Sequence, residues 1–198
     1  EVIVTDYCST HSKMDDAYQK NNAMSYISFS APDRELSVIP DYPAQAYNAH
    51  EGDVNNLSEA KNFLYLINPV NFENKQAFIS SVSKTNYDLI IMDMFFNDIA
   101  FTKEEILQLK EKSNGAKRLV ISYMSIGEAE DYRYYWKDEW NEEKPAWIDS
   151  ENPNWEVKRR RSNLSMGYWF HPSIIPFRFF FFLTIFIVYL PLVSRRNI

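Results

Sequence analysis

Apolar positions are scattered over the first third of the chain and fall into a regular beat after residue 57. Asn62 to Ile67 (NFLYLI), Tyr87 to Met92 (YDLIIM) and Arg118 to Ile126 (RLVISYMSI) are short, nearly continuous apolar runs, the pattern of strands covered on both faces. Between them lie two helical repeats. Asn74 to Val82 carries Ala77, Phe78 and Val82 on one side, and Thr102 to Lys112 repeats Ile106 and Leu109. In the second, Thr102 and Glu105 form a T-x-x-E capping box and Gly115 follows the end, so both boundaries are marked. Strand, helix, strand, helix, strand with short connections predicts right-handed parallel units, an α/β chain holding part of a (β/α) TIM barrel. The first 35 residues are polar and weakly patterned. They suggest a helix over Asp15 to Ser28 through Ala17, Tyr18, Met24 and Ile27, then a short strand from Leu36 to Ile39 closed by Pro40. Residues 41–56 read as loop, with Pro43 and Gly52 among several Asn and Asp.

Where the third strand ends, the composition changes sharply. Gly127 is followed by Glu128, Glu130, Asp131 and Arg133 among Tyr132, Tyr134, Tyr135 and Trp136. Parallel units carry their chemistry at the carboxyl ends of the strands. Asp93 ends the second strand in the same way, either as a hydrogen-bonded rim carboxylate or as a substrate contact, while Asp98 reads as a turn residue. Alternation along the third strand puts Tyr123 and Ser125 on one side, assigned to the interior, and Met124 and Ile126 on the other. The acidic cluster has two readings, a solvated loop neutralised by Arg133 or a ligand-binding rim. The tyrosines and tryptophans, with Trp140, Trp147 and Trp155, are either rim packing or platforms for sugar C–H faces. The candidate binding residues are therefore Asp93, Tyr123, Ser125, Glu128, Glu130, Asp131, Tyr132, Arg133 and Trp136.

Four runs in this region resemble the glycoside hydrolase family 114 domain, the endo-α-1,4-polygalactosaminidase-like TIM-barrel proteins. They are NNLSEAKNFLYLINP (Asn55 to Pro69), TNYDLIIMDMFFND (Thr85 to Asp98), SIGEAEDYRYYW (Ser125 to Trp136) and PAWIDSENPNW (Pro145 to Trp155). The likeness covers about a hundred residues, Tyr47 to Trp155. It implies a barrel fold and, in complete members, hydrolysis of α-1,4-linked galactosamine polymers by an acidic pair. In that family the catalytic acids lie on strands after the EAEDYR run. No such strand follows here, so the resemblance assigns no catalytic residue and implies an incomplete, inactive hydrolase. A carbohydrate-binding or membrane-associated remnant without catalysis is the alternative.

Charge divides the chain at the point where the likeness stops. All 27 Asp and Glu precede Val157, whereas seven of the 21 Lys and Arg follow Glu156, giving balances of −13 and +7. The expected organisation is an ill-defined region over 1–46, the hydrolase-like partial barrel over 47–156, and a divergent, first basic and then apolar tail over 157–198, as after truncation or a frame shift near Glu156. Phe179 to Val193 (FFFFLTIFIVYLPLV) is 15 residues, about 22 Å as a helix. Spanning a membrane takes about 20 residues, so the run is either a marginal membrane segment or an untuned product. The chain begins at Glu1, which a removed leader or a fragment boundary would both explain, and the expected localisation stays open between secreted and membrane-associated. The acidic body argues against nucleic acid as a partner, and it favours a cationic polysaccharide of galactosamine type. Neither metal nor cofactor is implied: His11, His50 and His171 have no ligand spacing with Cys8, and the four glycines form no nucleotide loop.

Overall fold

The computed structural model describes residues 1–124, 128–131, 135–151 and 167–170. Two compact units divide the chain after Tyr123. The first is mixed α/β. It begins with β1 (Ile3–Tyr7), α1 (His11–Ala23) and β2 (Ile27–Ala31), β1 pairing parallel with β2 from Ile3–Ile27 to Tyr7–Ala31. Next come β3 (Leu64–Leu66), α2 (Lys75–Ser83), β4 (Leu89–Asp93), a small hairpin of β5 (Phe95–Phe96) and β6 (Ile99–Ala100), α3 (Lys103–Leu109) and β7 (Leu119–Tyr123). β3, β4 and β7 form a parallel sheet in that order, and a parallel bridge between Ser28 and Asn62 links β2 to the start of β3.

The predicted strands at 62–67 and 87–92 and the predicted helices at 74–82 and 102–112 appear at these positions; three of them are shorter than expected, and α2 keeps its length with a shift of one residue. The third strand stops at Tyr123 rather than Ile126. Two expectations for the N-terminal region are corrected. The helix runs His11–Ala23 rather than Asp15–Ser28, because Met24 leaves the helix and Ser25 takes a left-handed conformation (φ 59°) before β2 starts. Leu36–Ile39 forms no strand: Asp33 Oδ1 accepts the N–H groups of Glu35 and Leu36, closing a turn, and Leu36 is itself left-handed at φ 51°. The Leu36 carbonyl accepts from Ile67 and Asn68, which ties this loop to the carboxyl end of β3.

Helices and strands meet through an apolar layer that includes Phe78, Ile79 and Val82 of α2, Leu109 of α3, and Leu64, Leu66, Ile90 and Met92 of the sheet, all buried. Asn74 caps α2 by accepting from Ala77 N. The anticipated capping box of α3 is complete: Thr102 Oγ1 accepts from Glu105 N, and Glu105 Oε2 from Thr102 N. Past α3, Gly115 has φ +85°, which favours glycine, and its N–H donates to the Lys112 carbonyl.

The second unit contains an antiparallel sheet ordered β8 (Glu128–Glu130), β10 (Gly167–Phe170), β9 (Ile148–Glu151). Ala129 and Ile148 are buried there, and Tyr135, Trp136, Trp140 and Trp147 pack on them. No helix among the described residues is long and apolar enough to cross a membrane. The apolar run Phe179 to Val193 lies outside them.

Candidate functional site

The parallel register decides which side chains share a face in the first unit. Asp6 on β1 accepts a hydrogen bond from Asn21 of α1, at 2.6 Å, and so points toward that helix. By alternation, Thr5 and Tyr7 face the other way, as do their register partners Phe29 and Ala31. Phe29 meets Phe63 with ring centroids 5.6 Å apart, which brings Phe63, and two residues on Tyr65, to that same face. Tyr65 pairs with Ile91, Ile91 with Ile121, and Asp93 with Tyr123. One face therefore carries Tyr7, Tyr65, Asp93 and Tyr123 at or near the carboxyl ends of four parallel strands.

These four groups differ in their surroundings. Asp93 and Tyr123 are half-buried, and Asp93 Oδ1 accepts from Phe95 N at 3.0 Å, holding the carboxylate at the start of the hairpin. Tyr7 is exposed, with the Arg34 guanidinium carbon 5.3 Å from its ring centroid. Tyr65 is only 3% exposed, and its hydroxyl has no hydrogen-bond partner. Burial first, and then the nearby Tyr123 and Tyr7 phenols, push the Tyr65 phenol well above the ordinary tyrosine range. It is a neutral donor at any physiological pH.

The amino end of β4 has the opposite character. Asp88 and Lys112 are buried, and Lys112 Nζ donates to Asp88 Oδ1 at 2.6 Å, to the Gly52 carbonyl at 2.9 Å and to the His50 carbonyl at 3.1 Å. The three protons of the ammonium thus have three acceptors. Asp88 Oδ2 accepts from Lys61 N and, at 3.4 Å, from Asn62 Nδ2, while Asn62 Oδ1 accepts from Asp88 N. His50 Nδ1 lies 3.0 Å from Asp88 Oδ2 but is not aligned for a hydrogen bond. Beside this pair the Arg118 guanidinium is buried against the Thr85 hydroxyl and the Thr85 and Glu111 carbonyls. Burial lowers its pKa to about 10, so it stays charged at neutral pH. Apart from His50 Nδ1 the cluster is paired, and it ties loops together.

Of the residues singled out from sequence, Asp93 and Tyr123 are brought together on adjacent strands. Asp131 and Trp136 belong to the second unit. The backbone of Glu128 and Glu130 forms β8, paired antiparallel with β10, where the sequence pattern suggests a loop. Ser125, Tyr132 and Arg133 lie outside the described residues, as do Tyr134 and Trp155. The Trp136 indole N–H donates to Asn141 Oδ1 at 3.2 Å, and Trp136, Trp140 and Trp147 form an edge-to-face series with centroids 5.4 and 5.0 Å apart. That geometry is the packing arrangement aromatic rings prefer. Tyr65 and Tyr7 are not among the sequence candidates. The one signal for Tyr65 is a phenol in the middle of an otherwise apolar run.

Among the described residues no three His, Cys, Asp or Glu side chains are grouped to hold a metal ion. No protein-family model matches the chain. Its sequence is similar to an uncharacterized protein of Methanocaldococcus jannaschii, 35% identical over 124 residues, covering 61% of this chain and 32% of the relative. An uncharacterized protein of Deinococcus radiodurans is 31% identical over 94 residues, 48% of this chain and 28% of its own length. One of Thermotoga maritima is 39% identical over 51 residues, 26% of this chain and 14% of the relative. The chain thus spans a third or less of the length of these relatives.

Proposed function

We propose that this chain is a glycoside hydrolase-like protein of the (β/α)-barrel type that binds galactosamine-containing polysaccharide at the carboxyl ends of its parallel strands, without cleaving it. The observation that carries the reading is the register pair Asp93–Tyr123, a carboxylate beside a phenol where α/β proteins place their ligands. A carboxylate suits an amino-sugar ammonium, a phenol suits sugar hydroxyls and C–H faces, and the sequence resemblance points to the same polymer. The net charge of −6 attracts a polycation, with a strength that falls as salt rises. Glycosidic cleavage needs two carboxyl groups, about 5–5.5 Å apart for retention or about 6.5–9.5 Å for inversion. Asp93 supplies one carboxylate to this face.

The test is a calorimetric titration with α-1,4-linked oligogalactosamine, run beside mass spectrometry for new reducing ends. Binding without release is expected, with affinity lowered about tenfold in Asp93→Asn, the loss of one hydrogen bond between charged groups. Equal affinity in Asp93→Asn and the parent chain would remove this face from the argument. Turnover that disappears in Glu128→Gln would make the chain an enzyme and give it a catalytic acid.

A further inference from the structure

Tyr65 has a hydroxyl that folding does not use. A buried hydroxyl without a partner costs about 1–3 kcal/mol relative to one that is paired or left in water. Phenylalanine would fill the same place on β3 without that cost, and the aromatic residues already on this face, Phe29 and Phe63, are of that kind. The neighbours of the phenol give its direction. Tyr65 stands one inward-facing position before the Asp93–Tyr123 pair in the sheet register, and its hydroxyl is close enough to Tyr123 and Tyr7 for their ionisation to oppose its own. The hydroxyl thus lies toward the carboxyl end, where Tyr7 is exposed and Asp93 and Tyr123 are half-buried. Ala31, the register partner of Tyr7, adds only a methyl group to that face.

We infer that Tyr65 is a ligand-contacting residue, its phenol donating a hydrogen bond to a sugar oxygen from the floor of the site that Asp93 and Tyr123 border. This rests on the proposed carbohydrate site and adds a specific contact to it. The phenol remains protonated and neutral, so its part is donation to a hydroxyl, ring or bridging oxygen, and no proton leaves it. The Asp93 carboxylate can only accept. Together the two groups recognise opposite ends of the polarity of an amino sugar, the oxygen through Tyr65 and the ammonium through Asp93.

Tyr65→Phe separates this role from a structural one, because removing an unpartnered hydroxyl leaves nothing in the protein unsatisfied. Thermal unfolding and titration with α-1,4-linked oligogalactosamine are measured on the full chain, on Tyr65→Phe and on Asp93→Asn. The expected result is an unchanged or raised Tm for Tyr65→Phe together with about a tenfold loss of affinity, as for one hydrogen bond in a dry site. A Tm lowered by several degrees would show that the hydroxyl has a partner within the protein, and the inference would be withdrawn. Full affinity in Tyr65→Phe beside weakened Asp93→Asn would sink the Tyr65 contact alone. Identical affinities in all three chains, or none in any, would remove the carbohydrate site and the Tyr65 contact together.

Discussion

Lys112→Met tests how the amino ends of the strands are held. Lys112 and Asp88 are both 0% exposed along their side chains, and the ammonium has its three acceptors within 3.1 Å. Methionine fills nearly the same volume but leaves Asp88 as a buried carboxylate that has lost its cation, and leaves the His50 and Gly52 carbonyls without their donor. Removing one partner of a buried pair costs about 3–5 kcal/mol. For a unit of roughly 120 residues the unfolding entropy is about 0.25 kcal/mol/K, so Tm should fall by about 12–20 °C. The assay is thermal unfolding followed by circular dichroism at neutral pH, repeated for Asp88→Asn and for the double variant. The double variant removes both charges of the pair and should lose less than the sum of the two single losses, a coupling of about 1 kcal/mol or more between groups in direct contact. A loss below about 1 kcal/mol for Lys112→Met, or losses that simply add, would refute the claim that this pair is dry and mutually dependent.

The remaining predictions concern the helices. Phe78 is 2% exposed and meets the rings of Phe72, Phe101 and Phe96 at 5.0, 5.6 and 6.1 Å, so Phe78→Ala should cost about 3–5 kcal/mol in urea unfolding; a loss near 1 kcal/mol would mean that the cluster repacks. The Lys75 ammonium, 2.8 Å away, and the Thr102 N–H hold the Glu105 carboxyl below the usual carboxylate range. Its contribution to stability is therefore complete above the unfolded value of about 4.3 and is lost as pH falls through the lower folded value. Glu105→Gln should lower Tm at neutral pH and converge with the parent chain in acid, and a difference that persists unchanged in acid would contradict this.

Strands β3, β4 and β7 are legible in the sequence because both faces are covered, and the apolar runs say so directly. α3 is legible because Thr102 and Glu105 mark its start chemically, whatever packs on it. β1 and β2 are hidden by polar residues: Asp6 in β1 is bonded by Asn21 of α1, and Ser28 and Ser30 interrupt the apolar positions of β2. Ser28 and Ser30 are 4% and 0% exposed, so ISFSA reads as half-polar although all five positions are buried. Of the site, Asp93 is legible as a strand-end residue and Tyr123 as an interior-facing one of the third strand, and the register joins them. The aromatic and acidic run after Gly127 suggests one loop from composition. Part of it is instead a strand in an antiparallel sheet, a pairing set by residues nearly forty positions further on, which no local pattern announces.

Each end of the parallel strands holds a buried atom without a hydrogen-bond partner, His50 Nδ1 at the amino end and the Tyr65 hydroxyl at the carboxyl end, but the first lies 3.0 Å from a carboxylate within a cluster of paired charges. At the amino end, Asp88, Lys112, Asn62 and Arg118 are buried with hydrogen bonds to one another and to loop carbonyls, so removing any one leaves others unpaired. Such a cluster is costly to assemble and costly to break, which suits a structural role. At the carboxyl end the Tyr65 hydroxyl is buried without a partner near two further phenols, so removing it costs the fold nothing. A chain selected for stability alone has no use for that arrangement. Variants at the two ends should therefore separate stability from ligand affinity: Lys112→Met loses the first, with affinity retained by the molecules still folded, and Tyr65→Phe loses the second with the fold intact.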